Sequence, residues 1–456
     1  MKNLFLMAVC LTLFAGIGKA QQAAPAPKTY SFSLAECINY AYTHQDSVVN
    51  AGLDVKSADY KISETKATGL PQVNGSISFQ KYFTPPATVG PSYFFTGGAP
   101  DANAPLVKFP FGATSYTNNF NLTASQLIFS GSFLVGLQAA KTYKELYERS
   151  LTRSKIQTNI SVTKAYYQVL VGNEQIKLLD ANIAQLKQQL DQTTQQNKQG
   201  FVEKIDVQRL EVQYNTLVTN RENANRSVTL YVQMLKFQMG MPVQDELILT
   251  DKLEGVNLEQ ALAQSSVGDT TFYRNRIEYS LLETALKLNM LDVKNKKAAY
   301  LPTVSANLGL TDAYEENHIK YLYNNSYPFS YIGLNINVPI FSGGQRLNQL
   351  KESQISVIKS QNDMANAKNG FSLQADAARI TFFNSLQSLN SQKRNQELAN
   401  EVLRVTKIKY QQGVGSSIEV TQAQTDLQTA DNQYIQALYD ALINKVNLDQ
   451  AYGRIK

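Results

Sequence analysis

Val207, Leu210, Tyr214, Leu217, Arg221, Ala224, Val228, Tyr231 and Leu235 step along the chain by alternate threes and fours. Val420, Ala423, Leu427, Ala430, Tyr434, Ala437, Ala441, Asn444 and Leu448 repeat that stepping 213 residues later. This alternation is the seam of a helix packed along its length against other helices. It predicts two long return helices, 202–240 and 417–452, in related halves of the chain. Each follows a still longer helical stretch. The first, 131–198, has no proline and carries Ile176, Leu179, Ile183, Leu186 and Leu190 on its seam. The second, 343–409, carries Leu398, Val402 and Val405. A helix of about 65 residues is about 100 Å long and needs packing partners throughout.

The period changes to two after Leu70-Pro71 and again after Leu301-Pro302. Val73, Gly75, Ile77 and Phe79 alternate with Asn74, Ser76, Ser78 and Gln80; Val304, Ala306, Leu308 and Leu310 alternate with Ser305, Asn307, Gly309 and Thr311. Each half has a second such run, Phe120 to Ser125 and Ile332 to Ile340. These patterns predict strands 70–83, 116–129, 301–313 and 330–341, each with one apolar face and one uncharged polar face. Strands of about ten residues suit a tilted membrane crossing. Between them lie a Pro-rich loop at 84–111, with Phe94, Phe95, Phe109 and Phe111, and a shorter Tyr-rich loop. The first offers a constriction of the outer opening.

The joins are duplicated as well. Phe129-Ser130-Gly131 matches Phe341-Ser342-Gly343, followed by Gly344, where a strand must bend into a helix. The turns at the far ends of the long helices align without gaps. Gln199-Gly200-Phe201 corresponds to Gln412-Gly413-Val414, with Gly415 after it. Gly200 and Gly413 read as helix C-caps, and Ser416 or Ser417 as an N-cap. Asp206 and Glu419 fall in the first turns of the return helices, where the macrodipole favours an acid.

The predicted organisation is therefore a first repeat at 34–240, an irregular equatorial linker ending in a small helix at 241–270, and a second repeat at 271–456. The first repeat opens with a helical pattern at 34–68, the second with one at 276–299. Residues 1–20 have the layout of a secretory signal, and 21–33 read as a flexible lead. Removing the signal takes Lys2 and Lys19 with it and lowers the formal charge from +6 to +4. That balance gives no case for nucleic acid. Cys37, His44 and His318 do not form a metal-ligand set, and no nucleophile–base pair or phosphate-binding loop is present, so neither an enzyme nor a cofactor is expected. No apolar run of about 18 residues follows the signal, which leaves a soluble periplasmic protein or an outer-membrane barrel.

Four strands cannot close a barrel, because the smallest outer-membrane barrels have about eight. Open edges are not tolerated in lipid, so strands that cross a membrane here require oligomerisation. The duplicated halves, the Phe-Ser-Gly joins and the Tyr410-x-x-Gly413-x-x-x-x-x-Glu419-Val420 turn resemble the TolC-like outer-membrane efflux-duct family. The resemblance implies a mainly α protein with a membrane β-barrel: a homotrimer in outer-membrane lipid, its twelve strands forming one barrel and its long helices a periplasmic tube. It implies a passive exit duct in a Gram-negative outer membrane, recruited by a periplasmic adaptor and an inner-membrane pump or ABC exporter. It places the periplasmic-mouth constriction at Glu419, with Asp206 equivalent in the first half, and adaptor docking at the two tip turns. The family's second acid falls at Gln422 and its tip arginine at Gly415, so a weaker ring of charge is expected here. The competing class is a non-transporting coiled-coil scaffold or adhesin.

Overall fold

The computed structural model describes residues 28–109, 114–253 and 271–455. The secretory signal, the start of the lead, Pro110, Phe111 and the small helix expected late in the linker lie outside the described residues. Helices α1 (Leu34–His44) and α2 (Asp46–Ala67) precede strand β2 (Gln72–Lys81), a short strand β1 (Thr29–Phe32) having come before them. A small excursion follows: β3 (Thr88–Pro91), α3 (Ser92–Thr96) and β4 (Leu106–Phe109). Strand β5 (Tyr116–Ser130) runs straight into α4 (Gly131–Lys198), and α5 (Lys204–Met239) returns. After β6 (Glu246–Leu249) come α6 (Ile277–Ala298), β7 (Thr303–Glu316), β8 (Tyr327–Asn337), α7 (Gln345–Gln411) and α8 (Ser417–Ala451).

These elements fall into two compact units. One holds the described parts of Met1–Asp46, Gln157–Ser265 and Ile380–Asn447, and the other those of Ser47–Ile156, Ser266–Arg379 and Leu448–Lys456.

In the first unit the seams read for α4, α5 and α8 supply the core, whereas the stripe read for α7 does not. Leu398, Val402 and Val405 are exposed and Leu403 is buried instead. Apolar residues at positions 398, 402, 403 and 405 offer two faces, and packing against α8 selects the one through 403. Leu179 and Leu186 of α4 meet Leu210, Leu217 and Ala224 of α5, with Ile183, Leu190 and Tyr214 against them. Leu403 of α7 meets Val420, Ala423 and Leu427 of α8. Each buried leucine stabilises by about 1.5–3 kcal/mol, whereas an exposed helical pair such as Lys187–Asp191 contributes about 0.3–0.5 kcal/mol. The seams therefore hold these helices together.

The lead is not wholly flexible, and the linker is not wholly irregular. Thr29–Phe32 pairs in parallel with Glu246–Leu249 across some 217 residues of chain. The Asp251 carboxylate beyond β6 accepts from the Leu34 amide at the start of α1 (2.8 Å) and from the Tyr166 hydroxyl of α4 (2.9 Å). It thus fastens three segments. Cys37 is fully buried beside this junction, and burial, with the charges of Asp251 and Glu36, pushes its thiol up to about 12. The opening helical pattern is also interrupted. Gln45 is extended, with ψ 123°, and divides α1 from α2.

In the second unit the four long strands form one antiparallel sheet in the order β2-β5-β7-β8. The register aligns the alternation across it. Val73, Ala124, Leu308 and Ile332 lie side by side on one face, and Ser76, Asn121, Thr311 and Phe329 on the other. Thr311 donates to Asn121 on that second face (2.9 Å). Apolar residues of the first face, among them Ile77, Leu310, Ile332 and Ile336, are exposed. Phe120, Tyr314 and Tyr323 pack edge to face near the strand ends. Within the 84–111 loop β3 and β4 pair antiparallel.

The two strand-to-helix joins differ although both read Phe-Ser-Gly. Gly131 begins α4 directly and has no positive φ; an added Cβ there would meet Leu301 Cδ1 at 2.8 Å and the Ala298 carbonyl at 3.1 Å. Close packing, not backbone freedom, requires glycine at that position. In the second half the strand stops at Asn337, short of the expected 341, and α7 starts at Gln345. Pro339 stands where the first half has Leu127, and proline removes a ladder donor. Gly343 (φ +59°) and Gly344 (φ +83°) then make the left-handed turn that α7 needs.

Candidate functional site

Both long helices end in the same turn, and both turns lie in the first unit. After α4, Gly200 takes φ +81°; the Phe201 amide donates to the Gln196 carbonyl and the Gly200 amide to Asn197, each at 3.0 Å. After α7, Gly413 takes φ +76°; the Val414 amide donates to Lys409 and the Gly413 amide to Tyr410, again at 3.0 Å. These paired bonds are the Schellman arrangement, which satisfies the carbonyls a helix end leaves open. Phe201 and Val414 occupy the same step of the two turns, and both are about four-fifths exposed (78% and 79%). Two apolar side chains thus stand at the tip with Gln199 and Gln412 beside them. Gly415 returns tightly under its turn, where a Cβ would meet the Tyr410 amide nitrogen at 3.1 Å.

The two acids singled out at these turns have different surroundings. Asp206, in the first turn of α5, accepts a hydrogen bond from the Ser417 hydroxyl at the start of α8 and lies 3.6 Å from Arg209. It ties one hairpin to the other and is only 18% exposed. Ser416, not Ser417, caps α8, its hydroxyl accepting from the Glu419 amide at 3.3 Å. Glu419 is exposed, and its carboxylate has no partner among the described residues. Gln422 is exposed on the same face and donates to Asp426 at 2.8 Å. Positions 419, 422 and 426 step by three and four, so one face of α8 carries an acid, an amide and an acid. Beside them, a groove of about 390 Å³ between α5 and α8 is lined by Ile205, Arg209, Val212 and Thr421.

Sequence reading did not find the polar node farther along these helices. Asp431 of α8 is buried and accepts from Asn182 of α4 and Gln396 of α7, both at 2.7 Å. The signal was present: position 431 lies four residues after Leu427 and four before Ile435, both buried. A charge on such a stripe must be hydrogen-bonded inside the fold. Gln424, on the same stripe, is buried with no partner for either amide atom. Among the described residues no group of three or more His, Cys, Asp or Glu could hold a metal ion. Among those residues no helix is long and apolar enough to cross a membrane.

A family model described as outer membrane efflux protein matches residues 38–240 and 282–454. Among curated proteins, the outer membrane protein TolC of Escherichia coli (strain K12) is 24% identical over 449 residues, covering 93% of this chain and 84% of TolC. The alkaline protease secretion protein AprF of Pseudomonas aeruginosa is 22% identical over 287 residues, covering 62% of this chain and 58% of AprF. Among solved structures, CusC superposes with a TM-score of 0.73 at 16% identity, covering 95% of both chains. VceC of Vibrio cholerae gives a TM-score of 0.69 at 14% identity, covering 92% of this chain and 96% of that one.

Proposed function

The chain belongs to the outer membrane efflux protein family, and from that premise we propose that it is an exit duct of the outer membrane, carrying cargo passively from the periplasm to the exterior. The observation that carries this reading is the sheet. Its apolar face is in register across four strands and exposed, and among the described residues β2 and β8 leave both of its edges unpaired. Water would penalise that face, and lipid would penalise those edges. Both costs disappear when three copies close a twelve-stranded barrel. The uncharged polar face then lines the lumen, and the helices of each copy join a tube.

The tip turns are the docking points for a periplasmic adaptor, which brings an inner-membrane pump or ABC exporter. Energy enters through the pump, and the duct carries out no catalysis. Relatives named for efflux and for protease secretion fit this one architecture. Cargo is then set by the pump. The purified protein in a planar bilayer is expected to conduct ions, whereas zero conductance would revive the scaffold reading. A photoreactive residue at Gln412 is expected to capture an adaptor in living cells, and capture of nothing but other copies of the chain would remove docking from the tips.

At the mouth, Glu419 is the free acid and Asp206 is the tie. Three copies of Glu419 around an axis attract cations and hold divalent ions. Glu419→Ala is expected to reduce cation selectivity and divalent block several-fold, read from reversal potentials and from block by added Mg²⁺. Unchanged block in the variant would place the constriction elsewhere.

A further inference from the structure

Just behind the two tip turns the chain half-buries a cation, Lys407, that no described carboxylate neutralises. Between α4 and α7 lies a cavity of about 170 Å³, walled mostly by glutamine amides, among them Gln189, Gln196 and Gln411, with Thr193 and Tyr410. Lys407 is the one charged residue on its wall. Burial alone lowers the Lys407 ammonium to about 8, and no described carboxylate lies close enough to counter it. A half-buried lysine ordinarily reaches water with its head or meets an acid.

The remaining groups are suited to an anion. The Gln189 side-chain oxygen is buried without a partner, and rotating its amide presents two N–H donors in the same place. Tyr410 brings a phenolic hydroxyl that Thr193 meets, and Gln192 and Gln411 bring further amides. The volume is that of about five or six waters at ~30 Å³ each. It admits an ion of a few heavy atoms with some hydration.

We propose that this cavity binds a small oxyanion, of phosphate or carboxylate size, between the Lys407 ammonium and the surrounding amide and hydroxyl donors. The bound ion bridges α4 and α7 at the base of both tip turns. The carbonyl of Gln196 holds the Phe201 amide, and the carbonyl of Tyr410 holds the Gly413 amide. Occupancy therefore braces the end of one hairpin against the end of the other. The site stands on these two helices of one protomer, whatever the duct carries.

Inorganic phosphate titrated calorimetrically into the full-length protein in detergent tests it. One phosphate per protomer is expected, bound about ten- to a hundredfold more weakly by Lys407→Met, which keeps the apolar stem. Lys407→Arg should retain part of the affinity, and Gln189→Leu should lose several-fold. Circular dichroism of each variant checks that its helices are intact, and Gln189→Leu keeps the test open if Lys407→Met misfolds. Equal binding by wild type and Lys407→Met means an adventitious ion only and overturns the proposal. So does the absence of binding by wild type at millimolar phosphate.

Discussion

Gly240→Ala and Gly453→Ala are each expected to destabilise the fold by about 2–5 kcal/mol, while Gly200→Ala and Gly413→Ala cost about 1–2 kcal/mol. All four glycines end a helix with positive φ, at +70°, +65°, +81° and +76° in that order. The conformational penalty of a side chain in the left-handed region is therefore shared. The surroundings are not. An added Cβ at 240 would lie 2.5 Å from the His44 carbonyl oxygen and 2.8 Å from Gln45 Cα, and one at 453 would lie 2.8 Å from the Asn275 carbonyl carbon and oxygen. These are backbone atoms and cannot swing aside. At 200 and 413 nothing lies within 4 Å. The return helices α5 and α8 are thus each seated by a glycine against the backbone where a half's opening helix begins or breaks. Thermal midpoints of the purified protein, followed by circular dichroism, rank the four variants. Equal shifts at 240 and 200 would mean that the close approach adds nothing.

What the chain discloses by itself depends on how local the cause is. The seam stepping named Leu210, Leu217 and Ala224, and Val420, Ala423 and Leu427, and all six are buried. A helix seam repeats within seven residues, so its period is visible in one segment. The strand alternation is equally local, and it placed the Val73 and Leu308 rows on one face. The β1–β6 pair escaped because a four-residue strand carries almost no period and its partner is far along the chain. The difference between Gly131 and Gly343 escaped because the two motifs read alike, and Pro339, two residues upstream of the shared Phe-Ser-Gly, decides the backbone. At the tip, the glycine turns were legible from Gly200 and Gly413. The separate surroundings of Asp206 and Glu419 were not, since the Ser417 hydroxyl that engages Asp206 comes from the other half.

Asp431 is the opposite case, since the period puts it on the buried stripe between Leu427 and Ile435 while its partners come from two other helices. Asp431→Leu is expected to cost about 2–5 kcal/mol, because it strands the buried Asn182 amide and the half-buried Gln396 amide at about 1–3 kcal/mol each. Asn182 and Gln396 both donate to this carboxylate at 2.7 Å, and they belong to α4 and α7. Three helices thus share one acceptor within a seam otherwise made of leucine and alanine. Asp431→Asn should lose much less, since an amide still accepts one bond and a neighbouring amide can rotate to accept the other. Replacing all three by leucine should recover much of the loss, because no polar group is then left unpaired. The spread among these variants, measured as unfolding midpoints in one detergent, separates a hydrogen-bond node from mere packing. If Asp431→Asn unfolds as early as Asp431→Leu, the carboxylate charge itself is required. If the triple variant folds stably but its conductance becomes heterogeneous, the node acts as a register pin, holding α4, α7 and α8 in one alignment along an apolar seam that would otherwise tolerate slippage.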